Sequence, residues 1–90
     1  MLNVNSSGKF KKDLKKCVKR GYDLRLLQNV IDILRIPAIL PINNQDHLLK
    51  GDYKGMRECH ILPDWLLIYE ADDKDLYLAR TGTHSDLFKE

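Results

Sequence analysis

Three histidines, an aspartate and an arginine in the second half of the chain have the side-chain types that RNA strand scission requires: His47, His60, Asp64, Arg80 and His84. Cleavage by an internal 2′-hydroxyl needs a base for that hydroxyl, an acid for the leaving 5′-oxygen, and positive charge beside the phosphorane formed between them. An imidazole, with an ordinary pKa of about 6.5, supplies either proton-transfer form at neutral pH. A guanidinium offers a planar fork of donors to phosphate oxygens. Asp64 can accept the hydroxyl proton or orient a histidine, and Tyr53, Trp65, Tyr69 and Phe88 are platforms on which unpaired bases can stack. Each residue also has a plainer use. Arg80 shares the parity of Leu76 and Leu78 and suits a carboxylate partner at a sheet edge, Trp65 and Tyr69 suit a core, and Asp64 after Pro63 suits a turn. Cys59 beside His60 suggests zinc, but neighbours on a strand point to opposite faces, and no second ligand pair follows at metal-binding spacing. No metal or cofactor is expected. The absence of a P-loop or GxGxxG argues against nucleotide hydrolysis.

The elements that must position these groups can be read from periodicity. Leu2-Asn-Val-Asn alternates and predicts a short first strand. Ser6 or Ser7 offers a helix N-cap, after which Phe10, Leu14, Cys17 and Val18 share one helical face as far as Gly21. Asp23 caps a second helix with Leu24, Leu27, Val30, Ile31 and Leu34 in a stripe, and so short a link requires an antiparallel hairpin. Pro37 and Pro41 bar helix through 36–42, and Asn43-Asn44-Gln45-Asp46 is turn material. His47–Lys50 is strand-like. Met56–Leu62 alternates, with Arg57, Cys59 and Ile61 on one side and Glu58 and His60 on the other. Trp65–Tyr69 is apolar on both parities, as a central strand would be, and Leu76–Thr81 returns after the turn at 72–75. Residues 82–88 read as a loop or a single helical turn. The order β-α-α-β-β-β predicts an α+β fold in one domain over residues 1–90. An N-terminal strand precedes an antiparallel helical hairpin packed on a mainly antiparallel sheet.

Ninety residues, 43% hydrophobic and 31% charged, suffice for one small core and no more. Two cysteines are too few for a disulfide scaffold, no apolar run nears the roughly 18 residues of a membrane span, and no leader is visible at Met1. A cytoplasmic protein is the expectation. The net charge of +2 hides an asymmetry: residues 1–35 carry nine basic and three acidic side chains, whereas residues 36–90 carry six and ten. The basic block of Lys9, Lys11, Lys12, Lys15, Lys16 and Lys19 suits an anionic partner or a solvated helix face.

Four blocks, Asp46-His47-Leu-Leu-Lys-Gly51, Arg57-Glu-Cys-His60, Pro63-Asp64-Trp65-Leu-Leu-Ile-Tyr69 and Arg80-Thr-Gly-Thr-His84-Ser-Asp-Leu-Phe88, occur in this order. Together with the basic first helix they resemble the YafQ-like branch of the RelE/ParE toxin superfamily over nearly the whole chain. Leu48 departs from the proline that many relatives carry after the histidine. The resemblance implies a RelE-like fold and a bacterial type II toxin that cleaves mRNA in the ribosomal A site without a metal or cofactor. It implies a catalytic set of His47, His60, Asp64, Arg80 and His84, with Trp65 and Phe88 contacting substrate. His84 would be the general acid, Asp64 or His47 the base, Arg80 the phosphate partner and His60 a positioning group. The six lysines would grip ribosomal RNA, a cognate antitoxin would block the toxin, and operator DNA would be reached only through that complex. The alternatives are an inhibitor of the gyrase-poison type and an inactive antitoxin-binding module.

Overall fold

The sheet is organised around the one strand that is apolar on both faces. A computed structural model describes residues 1–88, so positions 89–90 of the expected 1–90 unit lie outside the described residues. Five strands lie in the order β1-β5-β4-β3-β2, with β1 Asn3–Ser6, β2 His47–Leu48, β3 Arg57–Leu62, β4 Trp65–Ala71 and β5 Asp75–Gly82. β4 is the middle strand, and Trp65, Leu66, Leu67, Ile68 and Tyr69 are all buried because neither face meets water. β1 pairs parallel to β5, and the other pairings are antiparallel. The α+β architecture is as expected: the strand-like 47–50 segment forms a two-residue edge strand, and the tail, open between a loop and a single turn, forms a short helix. No helix among the described residues is long and apolar enough to cross a membrane.

Helices α1 (Gly8–Lys19) and α2 (Leu24–Arg35) cover one face. Ser7 Oγ caps α1 by accepting the Phe10 N–H at 2.9 Å, and Asp23 caps α2 through the Arg25 N–H at 3.0 Å. Between them Gly21 takes a positive φ of 77°, which a side chain would resist. Phe10, Cys17, Leu27 and Val30 pack with Trp65 and Leu67 in the main core. Val18 and Leu24, expected in the apolar stripes, are 58% and 37% exposed; both flank the turn that joins the helices. On the opposite face Leu66, Ile68 and Ala79 form a smaller cluster under Leu87 of α3 (His84–Phe88). A greasy patch thus occupies part of that face, and polar side chains hold the rest.

A bulge in β5 decides where Arg80 points. Ile68 pairs with Arg80 but Tyr69 pairs with Leu78, so Ala79 is the extra residue. Leu76 and Leu78 face the helices, and simple alternation would send Arg80 with them. The inserted residue moves Arg80 to the second face and turns Thr81 into the core, where its hydroxyl accepts from Trp65 Nε1 at 2.9 Å and donates to the Leu66 carbonyl at 2.7 Å.

The last turn of chain is held by a reciprocal capping box. Thr83 Oγ1 accepts the Asp86 N–H at 3.1 Å while Asp86 accepts the Thr83 N–H at 2.9 Å. Arg20 grips the same carboxylate with both terminal nitrogens, at 2.6 and 3.0 Å. A Cβ on Gly82, whose φ is 154°, would meet Asp86 Oδ2 at 2.8 Å, so only glycine lets this carboxylate close over the strand end. The Arg20 guanidinium, with the Thr83 N–H, holds the Asp86 carboxyl well below the usual carboxylate range. The folded chain therefore protonates Asp86 at a lower pH than the unfolded chain does. Its stabilisation is complete above about pH 4 and is lost as pH falls through the folded value. Asp86→Asn should cost about 1–3 kcal/mol at neutral pH and make stability fall less steeply below about pH 4, as read from urea unfolding across pH.

Candidate active site

Glu58 and His60 share one face of β3, and the antiparallel register sets His47 of β2 directly opposite Glu58. Glu58 is 4% exposed, and a buried carboxyl must find donors. His47 Nε2 lies 3.6 Å from Glu58 Oε1 and His60 Nε2 lies 3.4 Å from the same oxygen. Each ring is steered from its other nitrogen. His47 Nδ1 donates to the Gln45 carbonyl at 2.7 Å and His60 Nδ1 to the Pro63 carbonyl at 3.3 Å. A carbonyl can only accept, so both Nδ1 atoms carry hydrogen and both Nε2 atoms are left to the carboxyl. Three groups that can each carry a proton thus converge on one oxygen, an arrangement that has the parts proton transfer requires.

His84 closes the cluster from the other side. Its ring centroid stands 5.6 Å from that of His60, and the His47 and His60 centroids are 6.4 Å apart. Asp64, at the turn between β3 and β4, accepts the His84 backbone N–H at 2.9 Å and also the His84 Nδ1. These bonds, the backbone one first, hold the Asp64 carboxyl below its ordinary range, so it is ionised and orients the ring. Glu58, His60 and His84 also offer one donor atom each within 4.8 Å of one another, a set able to hold a metal ion.

Arg80 stands apart from the imidazoles. It lies in the row Glu58–Ile68–Arg80, two strands from Glu58 and so roughly 9–10 Å away across the sheet. Its Nε and Nη2 are held by Asp13 of α1 at 2.7 and 3.1 Å, and Nη1 donates to the Tyr53 hydroxyl at 3.3 Å. Asp13 raises the Arg80 pKa further, which keeps the guanidinium charged. With Lys9, Lys50, Asp52, Tyr53, Asp86 and Phe88 it lines a concavity of about 500 Å³. Phe88 meets Tyr53 edge-on there, with centroids 5.8 Å apart. The expected substrate contact by Trp65 is corrected: the indole is 1% exposed and its N–H is spent on Thr81, so no base can stack on it. All six lysines of α1 are exposed, and Lys16 lies 3.8 Å from Asp86.

The family of these residues is decided by comparison. A model of the bacterial YafQ toxins of type II toxin–antitoxin systems matches residues 2–89. The mRNA interferase toxin YafQ of Escherichia coli K12 is 41% identical over 87 residues, covering 96% of this chain and 95% of that protein. The chain belongs to the YafQ toxin family. The E. coli DinJ–YafQ toxin–antitoxin complex contains a chain that matches with a TM-score of 0.89 at 41% identity, over 97% of both chains. A metal-bound toxin from Helicobacter pylori matches with a TM-score of 0.91 at 47% identity, over 98% of this chain and 100% of that one.

In this YafQ-family chain the residue that sequence reasoning passed over is Glu58, although its parity with His60 was visible. Asp46, which the sequence shows only as turn material and the start of a block, is a second. It sits beside His47 but points to the helix-covered face, where Tyr69 Oη donates to it at 2.8 Å and Arg57 Nε at 3.0 Å. Burial of Tyr69 and its bond to Asp46 push the phenol pKa up, so the hydroxyl remains a donor. The pair register of β2 covers only His47 and Leu48, and this clamp supplies the hold that so short a strand lacks. Asp46→Ala should cost about 1–3 kcal/mol of stability. It should also change the ¹⁵N tautomer signature of the His47 ring while those of His60 and His84 stay in place; an unmoved His47 signal would count against the clamp.

Proposed function

We propose that this toxin cleaves mRNA in the ribosomal A site by proton transfer through the Glu58-centred imidazole cluster. The observation that carries it is the approach of His47 Nε2 and His60 Nε2 to one buried carboxyl oxygen, with His84 packed beside them. With Nδ1 committed to Asp64, transfer at His84 runs through Nε2, which gives its proton to the leaving 5′-oxygen. The 2′-hydroxyl loses its proton to His47, backed by Glu58, as its oxygen attacks phosphorus; a 2′,3′-cyclic phosphate and a free 5′-hydroxyl result. Asp64 is an orienting group in this scheme because His84 occupies it. His60 fixes Glu58 from the second side. Arg80, Lys9 and Lys50 offer positive charge to the phosphates that flank the cut, and Phe88 offers a ring edge to a base.

The E. coli relatives are mRNA interferases, and one is known in complex with the antitoxin DinJ. By that likeness this chain is the mRNA-cleaving member of a type II pair, held inactive by its own antitoxin and meeting operator DNA only as part of that complex. Neither the gyrase-poison nor the inactive-module alternative has an observation in its favour. The acid, the base and the charge are all side chains, so the proposed reaction needs no metal. An ion seated on Glu58, His60 and His84 would instead occupy the atoms that move protons.

Primer extension on mRNA with and without ribosomes should show cuts only when ribosomes are present, unchanged by a chelator and suppressed by excess copper or zinc. His84→Ala should lower cleavage by about 10²–10⁴-fold while the protein still folds and binds its antitoxin; retained cleavage would remove His84 as the acid. For the basic helix, Lys12→Glu with Lys15→Glu should weaken ribosome binding and make the log–log salt slope shallower by roughly one unit per lost phosphate contact. Equal affinity and slope would return these lysines to a solvated face.

A further inference from the structure

We infer that the recess between the 42–46 loop and the β3–β4 turn is a nucleobase subsite, read by Asn43 and Gln45, for the base next to the scissile linkage. The inference rests on mRNA being the substrate of the histidine cluster. The recess, of about 380 Å³, is lined by Asn43, Asn44, Gln45, Ile61, Leu62 and Pro63, and it opens on His60 itself. No lining residue carries a formal charge apart from what His60 can acquire, which is the wrong chemistry for a phosphate. Neutral amides beside an apolar wall suit a flat, uncharged ring whose edge presents both donors and acceptors. The other concavity is charged, with Lys9, Lys50 and Arg80 standing beside Asp52 and Asp86. The neutral recess is therefore the better fit for a base, and the charged one holds the cations that a backbone phosphate would seek.

The amide wall is held in place before any RNA arrives. Asn44 spends its side chain inward, donating Nδ2 to the His60 carbonyl at 2.6 Å. Gln45 adopts a left-handed backbone with φ of 50°, and its carbonyl takes the His47 Nδ1 at 2.7 Å. Asp46 is clamped by Tyr69 and Arg57. The backbone of the loop is therefore fixed against both His60 and His47, while Asn43 and Gln45 stay exposed. Leu62, 46% exposed on the turn side, supplies an apolar wall for a ring. A base seated here would sit one nucleotide from the imidazoles, and its identity would set how well the linkage is presented.

The test uses the full chain and ribosomes programmed with four mRNAs that differ at a single A-site nucleotide, repeated for each codon position. Wild type should rank the four bases at one position. Asn43→Ala and Gln45→Asn, the latter chosen because asparagine tolerates the left-handed backbone, should each shrink that ranking at least fivefold. The loss should fall on kcat/KM and be larger for the preferred base than for the poorest one. Leu62→Lys should lower cleavage of all four without altering their order. If both amide variants keep the wild-type ranking at every position while cleaving mRNA, the subsite is wrong and the nuclease stands. If wild type cuts no ribosome-bound mRNA, the nuclease reading falls and the subsite with it.

Discussion

A carboxyl group buried to 4% exposure cannot be left alone, and the whole polar end of this molecule is built around meeting that demand at Glu58. Its partners come from two directions: β2 at the sheet edge places His47 opposite Glu58, and β3 carries His60 two residues on. Those rings must themselves be aimed. The Gln45 and Pro63 carbonyls do this by occupying Nδ1, which ties the 3-10 turn Ile42–Asn44 and the β3–β4 turn to the geometry of the cluster. Removing the carboxyl would leave two imidazoles facing one another across a void. Removing either carbonyl's orientation would leave the carboxyl with one partner instead of two.

The sheet divides the polar chemistry spatially. Ile68 separates Glu58 from Arg80 in a single cross-strand row, and it belongs to the apolar cluster capped by Leu87. That small core on the second face keeps the imidazoles and the guanidinium in distinct recesses. It also roots α3, whose first residue is His84. The capping box of Thr83 and Asp86, gripped by Arg20, ties the hairpin turn of the helices to the same segment. Stability and site geometry therefore share one short stretch of chain, from Gly82 to Phe88.

The same atoms suit two kinds of occupant. Imidazole nitrogens and a carboxyl within 4.8 Å can pass a proton, and they can also hold a metal ion. For a nuclease that uses side chains as acid and base, an ion at this place competes with the proton.

Much of this molecule is legible in one dimension. Alternation in 56–62 separates Cys59 and Ile61 from Glu58 and His60, the doubly apolar run 65–69 identifies the central strand, and Ser7, Asp23 and Gly21 mark helix ends. These are local signals, because side-chain direction on a regular element follows from a fixed period. The four sequence blocks likewise name the histidines and their family. Three features escape such reading. The bulge at Ala79 reverses the parity that would have put Arg80 with Leu76 and Leu78. The value of Glu58 depends on a histidine eleven residues earlier lying opposite it. Asp13 and Asp46 matter because of partners on other elements. The core position of Trp65 is legible in the run 65–69, but its N–H partner is not, since Thr81 is turned inward only by that bulge. The sequence by itself determined which residue types and which elements the protein has. Tertiary structure alone decided which of them meet, because strand register, one inserted residue and loop carbonyls are set by packing between distant segments, and no local period encodes them.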